Sequence, residues 1–137
     1  MIKKIFKDLK IGDKSVFEKT ITEADVFAFA GISGDFNPLH VSEKFAKNSI
    51  FKGRIAHGLL SAALIDYTLT DLVGLGGIHI SQSCRFKAPV KIGDSITVES
   101  VVVDLHDEKK RLKISSTLKN QNEVVVLIGE AEVMLSE

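Results

Sequence analysis

Apolar residues recur at helical spacing through much of the first half of the chain and alternate with polar ones in the second. Ile11-Gly12-Asp13-Lys14 reads as a turn, and residues 15–21 alternate weakly, in the manner of an edge strand. Thr22 is placed to N-cap a helix over 23–32, with Asp25 three residues on to complete a capping pattern. Gly31 and Gly34 bracket its end. Pro38 forces Asn37 into extended geometry, so 34–40 reads as a shaped polar loop, followed by a short helix over 42–48. The stretch 56–73 has no proline and carries apolar or small residues on nearly every face, which predicts one buried helix.

From there strands dominate. Residues 79–87 alternate and stop at Pro89; Ile92-Gly93-Asp94 turns the chain; 95–105 and 111–118 form strands around a charged tip. A turn at Asn120-Gln121-Asn122 leads into a last strand over 124–135, in which Gly129 marks a candidate bulge. Early helices and late antiparallel strands predict an α+β layer arrangement, one helix against a curved sheet. With 137 residues and no linker, repeat or low-complexity tract, the chain reads as a single domain spanning 1–137.

Composition narrows the function classes. The formal net charge is zero and the charged 26% is scattered, so no basic stripe suggests a nucleic-acid partner. The densest basic run, Lys109-Lys110-Arg111, follows Asp107 and Glu108 and reads as a solvated hairpin tip. No stretch reaches the roughly 18 apolar residues that span a bilayer, and residues 1–10 lack the apolar core of a secretory signal. The single Cys84 allows no intramolecular disulfide and reads as a buried thiol on a strand. These features predict a cytoplasmic protein without a membrane partner.

Candidate chemistry concentrates in Gly34-Asp35-Phe36-Asn37-Pro38-Leu39-His40. A carboxylate and an imidazole on one constrained loop can grip a water, and His is the commonest acid–base group near neutral pH. A capped surface turn uses the same residue types. Asp, Asn and His also ligate metals, but a structural zinc site wants four ligands, so His57 or His79 would have to be brought in by the fold. Ala56-His57-Gly58 opens the long helix. Free N–H groups there suit a developing oxyanion, and Gly58 either admits a ligand or allows tight packing. Asp66 is a carboxylate inside that helix and needs a partner, solvent or the site itself. Ser61, Tyr67, His79 and His106 read as packing or surface residues.

Taken together, Asp35-Phe36-Asn37-Pro38-Leu39-His40, Arg54-Ile55-Ala56-His57-Gly58-Leu59-Leu60, Phe86-Lys87-Ala88-Pro89-Val90 and Gly93-Asp94 resemble the (R)-specific enoyl-CoA hydratases of the MaoC-like dehydratase family, over nearly the whole chain. The resemblance implies a hot-dog fold, a sheet wrapped round the helix at 56–73, and a homodimer whose sheets join. It implies Asp35 and His40 as the catalytic pair and the Gly58 N–H as holder of a thioester carbonyl, with Asn37 shaping the loop. The implied substrate is a trans-2-enoyl thioester of CoA or acyl-carrier protein, with no metal and no cofactor beyond the pantetheine of the substrate. Many members carry a small hydroxyl residue where this chain has Asp66, which puts a second carboxylate near the acyl pocket if it points inward. A hot-dog thioesterase using Asp66, or a non-catalytic acyl-CoA-binding module, are the alternatives.

Overall fold

The computed structural model describes residues 1–136. Five strands, β1 Lys14–Thr20, β2 Ile78–Phe86, β3 Ser95–His106, β4 Arg111–Lys119 and β5 Val125–Met134, form one antiparallel sheet in the order β1-β3-β4-β5-β2. Helix α1, Glu23–Ser33, starts at Thr22, whose side chain accepts from the Asp25 N–H while the Asp25 carboxylate accepts from the Thr22 N–H. It ends at Gly34, in the left-handed region at φ 78°. Two single turns follow, α2 Pro38–Val41 and α3 Glu43–Ala46. Residues 34–37 are the loop expected, but His40 stands on α2, which Pro38 opens at its first position.

The long helix departs from expectation in two ways. It starts at Gly58, because the Ala56 N–H donates to the Val90 carbonyl (2.7 Å) and Ile55 bridges Lys91. It also tightens at Leu64, whose N–H reaches the Ser61 carbonyl (3.1 Å), giving α4 Gly58–Ala63 and α5 Ile65–Val73. Leu64 keeps right-handed helical dihedrals, so the path continues.

Helix α5 lies across β1 and β3. Its Ile65, Leu69, Leu72 and Val73 join Ile96, Val98, Leu112 and Ile114 in the core, each buried side chain contributing about 1.5–3 kcal/mol. The opposite face is open in the protomer: Asp66 and Tyr67 are exposed, so burial on every side does not hold, and Tyr67 stacks on Phe17 rather than filling the core. Inside, a row of buried hydroxyls ties α5 to the sheet. Thr68 donates to the Ile65 carbonyl, so it must accept from Ser100 (2.7 Å), which in turn accepts from Ser116 (2.6 Å). A sheet curved about this helix is the hot-dog architecture that the resemblance implies.

Gly129 is not a bulge. It pairs in register with Cys84 and Ser116, and the shifts fall at His79/Ser81 and Leu118/Lys119. A Cβ there would lie 2.7 Å from the Ser83 carbonyl oxygen, so glycine admits close strand approach. Edge strand β2 is exposed almost throughout; its Cys84 is half-buried rather than buried, and Ile78, Ile80 and Phe86 are open. Among the described residues no helix is long and apolar enough to cross a membrane.

Candidate active site

Asp35 is fixed by three hydrogen bonds. Its N–H donates to Ser33 Oγ (3.1 Å), its Oδ1 accepts from the Asn37 N–H (3.1 Å), and its carbonyl faces His57 Nε2 at 2.9 Å. A carbonyl only accepts, so His57 Nε2 carries the hydrogen. Asn37 repeats the turn, its Oδ1 accepting from the Leu39 N–H (3.0 Å) as the N-cap of α2.

These turns aim the second Asp35 oxygen inward. Oδ2 lies 3.9 Å from His40 Nε2. His40 is buried, and its Nδ1 sits 2.7 Å from the Ile55 carbonyl, so Nδ1 carries a hydrogen, and in the neutral imidazole Nε2 presents a lone pair. Ile55 is itself held by its N–H to the Leu39 carbonyl (3.1 Å). His57 stacks on His40 with ring centroids 3.9 Å apart and planes 28° apart.

Arg54 clamps the surroundings. Its guanidinium bonds Glu23 at the start of α1 (2.6 Å) and Glu43 at the start of α3 (3.2 Å). The Glu23 bond first, with Glu43 adding to it against burial, raises the Arg54 pKa above its ordinary value. The two helices flanking the site loop are thereby tied to the strand-like segment that carries Ile55 and His57.

Asp35, His40, His57 and Gly58 line one cavity of about 570 Å³. Its other walls are largely apolar, with Phe51, Ile55, Leu59, Phe86, Pro89 and Val126, and Lys87 contributes one cation. A ring of Phe86 lies so near Gly58 that a Cβ added there would be 2.7 Å from it. The first N–H groups of α4 have no intrahelical partner, which leaves donors at the cavity wall.

The sequence expectations meet this geometry unevenly. Asp35, His40 and Gly58 come together. Asn37 supports the loop and is not on the cavity wall. Asp66 does not line the cavity of its own protomer; eight residues past Gly58, about 12 Å along a helix, it is exposed and pairs with His79 Nδ1 at 3.4 Å. The expectation that Asp66 reaches the acyl pocket therefore finds no support within one protomer. His57, read from sequence as a helix opener and conditional metal ligand, touches both members of the pair. Asp35, His40 and His57 hold potential ligand atoms within 4.8 Å of one another, yet each imidazole has one nitrogen committed to a carbonyl. That leaves His40 Nε2 and His57 Nδ1 uncommitted, and of the two it is His40 Nε2 that lies 3.9 Å from Asp35 Oδ2. Phe51 carries no sequence signal for a pocket; Phe86 stands in one of the motifs that carry the resemblance, but nothing local to it places its ring against Gly58.

The MaoC like domain matches residues 8–125. This chain belongs to the MaoC-like family. Among MaoC-like proteins, it is 47% identical over 131 residues to an (R)-specific enoyl-CoA hydratase of Rhodospirillum rubrum, spanning 95% of this chain and 90% of that one. It is 46% identical to a 3-hydroxybutyryl-CoA dehydratase of Methylorubrum extorquens, over 93% and 82% of the two chains. The solved (R)-hydratase of Aeromonas caviae superposes with a TM-score of 0.91 at 38% identity, covering 94% of this chain and 98% of that one.

Proposed function

We propose that this MaoC-like protein adds water across a trans-2-enoyl thioester to give an (R)-3-hydroxyacyl thioester, or removes it in reverse. The observation that carries the reading is the pair of acceptors, Asp35 Oδ2 and His40 Nε2, 3.9 Å apart on the wall of a largely apolar cavity. Two hydrogen bonds of about 2.8 Å from one water span about 4 to 4.5 Å, close to that separation. Each acceptor takes one hydrogen of the water, and the lone pairs on its oxygen are left for the β-carbon.

Attack at the β-carbon moves charge onto the thioester oxygen. The N–H of Gly58 is the donor suited to that developing enolate. The water oxygen bonds to the β-carbon, one of its protons passes to the pair, and the pair returns a proton to the α-carbon on the same face. No metal and no separate cofactor enters these steps. Relatives of this chain are named for hydration of enoyl-CoA, for dehydration of 3-hydroxybutyryl-CoA and, in an Arabidopsis thaliana protein 34% identical over 93% of this chain and 78% of that one, for dehydration of 3-hydroxyacyl-acyl-carrier-protein. A CoA or carrier-protein thioester is the substrate class we assign, with Lys87 at the cavity wall suited to a phosphate of either.

We further take the working unit to be a homodimer joined through β2. That strand pairs only with β5 and leaves Ile78 and Ile80 open beside an unpaired edge, which a second copy would cover. A monomeric mass by sedimentation contradicts this. The lone half-buried cysteine suits a reducing cytoplasm. The hydratase reading is tested by following enoyl absorbance and free thiol together: hydration consumes the first without releasing the second, and thioester hydrolysis does the reverse.

A further inference from the structure

We propose that His57 is a positioning residue for the Asp35–His40 pair, its Nε2–H holding the Asp35 backbone and its ring backing the His40 imidazole. The inference rests on the reading of that pair as the catalytic one. One side chain makes both contacts, 2.9 Å to the Asp35 carbonyl and 3.9 Å between ring centroids to His40. The Phe29 ring also packs against the imidazole, tilted by 57° with centroids 4.9 Å apart. His57 is also the residue immediately before Gly58, and its carbonyl accepts from the Leu60 N–H (3.1 Å), so the ring is anchored to the first turn of α4. It thereby couples the acid, the imidazole and the proposed oxyanion donor into one rigid unit.

The imidazole stands there at a cost. In the neutral imidazole, with the hydrogen on Nε2, Nδ1 is a bare acceptor, and it is buried without a hydrogen-bond partner among the described residues. Buried acceptors are ordinarily satisfied. A phenyl ring would occupy much of the same space with no such penalty and would keep the stack. What phenylalanine lacks is the Nε2–H. The geometry therefore assigns the purpose of His57 to that one donor and to the placement of Asp35 that it enforces. Ser61 Oγ, one helical turn on, is likewise buried and unpartnered, and nothing in this structure joins it to Nδ1.

The test separates donor from ring. Gln places an amide N–H the same number of bonds from the backbone as His Nε2, whereas Phe keeps only the ring. With crotonyl-CoA, His57→Phe is expected to lower kcat by about tenfold or more with KM within about threefold, as for a displaced catalytic group, and His57→Gln to recover most of the loss. Wild-type kcat in His57→Phe, or equal impairment in both folded variants, overturns the proposal. Should His57→Phe fail to fold, nitrogen-15 spectra of the wild-type imidazoles decide: hydrogen on His57 Nε2 supports it and hydrogen on Nδ1 overturns it. Asp35→Asn and His40→Ala are assayed alongside. Full activity in those two removes the catalytic reading itself, whereas their loss with an unaffected His57→Phe removes only the role of His57.

Discussion

His40 Nε2 and the Asp35 carboxylate face each other across 3.9 Å, with the His40 hydrogen on the far nitrogen, bound to the Ile55 carbonyl. With a neutral imidazole and an ionised carboxylate both facing atoms are acceptors, and the proposed hydration places a water between them as the common donor. Asp35→Asn puts a donor or a weaker acceptor where a carboxylate stood. His40→Ala removes the lone pair. Each is expected to lower turnover of an enoyl thioester at least about a hundredfold, the usual scale for an acid–base group. Turnover close to wild type in a folded variant removes that residue from the mechanism.

Gly58 is the place where a single methyl group should matter. A Cβ there would meet the Phe86 ring at 2.7 Å, and that ring, a side chain rather than backbone, is exposed in the protomer. Gly58→Ala is thus expected to spare the fold, since alanine favours a helix over glycine by about 1 kcal/mol, while crowding the approach to the α4 donors. We expect kcat/KM to fall about tenfold, part of an oxyanion-hole loss, with the melting temperature nearly unchanged. Pairing it with Phe86→Leu should restore part of the activity, and a strictly additive pair would contradict contact between the two sites.

The capping box of α1 predicts an acid-sensitive contribution to stability. Burial works against the Asp25 charge, but the Thr22 N–H, the Lys19 ammonium at 2.9 Å and the Thr22 side chain outweigh it, and the pKa lies below its ordinary value. A carboxyl group depressed in the folded state stabilises above its unfolded pKa and loses that contribution as pH falls through the folded one. Asp25→Asn should therefore be less stable at pH 7 by about 0.3–1 kcal/mol, the range for a carboxylate at a helix N-terminus. The gap should begin to narrow as pH falls below about 4, where free carboxylates titrate, and vanish only below the lower folded-state pKa. Urea midpoints across that range check it, and a gap that persists unchanged into acid contradicts the ionic account.

Much of this was legible in the chain. The Thr22 and Asp25 cap, the alternation at 95–105 and 111–118, and the Gly93 turn are local signals that tertiary structure had no reason to override. The loop holding Asp35 was legible because proline and two Asx turns act within a few residues, whereas the single helical turn that carries His40 was not expected. What was not legible depends on distant partners. Ala56 leaves the helix because Val90 takes its N–H, and Gly129 keeps its register because Ser83 and Gln82 crowd it. For Asp66 the apolar neighbours in sequence left partner, solvent and site all open, and only the fold puts it on the open face of α5 beside His79. His57 is seventeen positions beyond His40, a separation no helix or strand period connects, and only the folded chain stacks the two rings.

Hydration of an enoyl thioester at this site can be followed directly. The most direct measurement mixes the protein with crotonyl-CoA, follows enoyl absorbance with a thiol reagent present, and resolves the product on a chiral assay. The account predicts loss of enoyl absorbance, no free thiol and an (R)-3-hydroxy product. Free thiol, or unchanged absorbance that persists with longer acyl chains and carrier-protein thioesters, would contradict it.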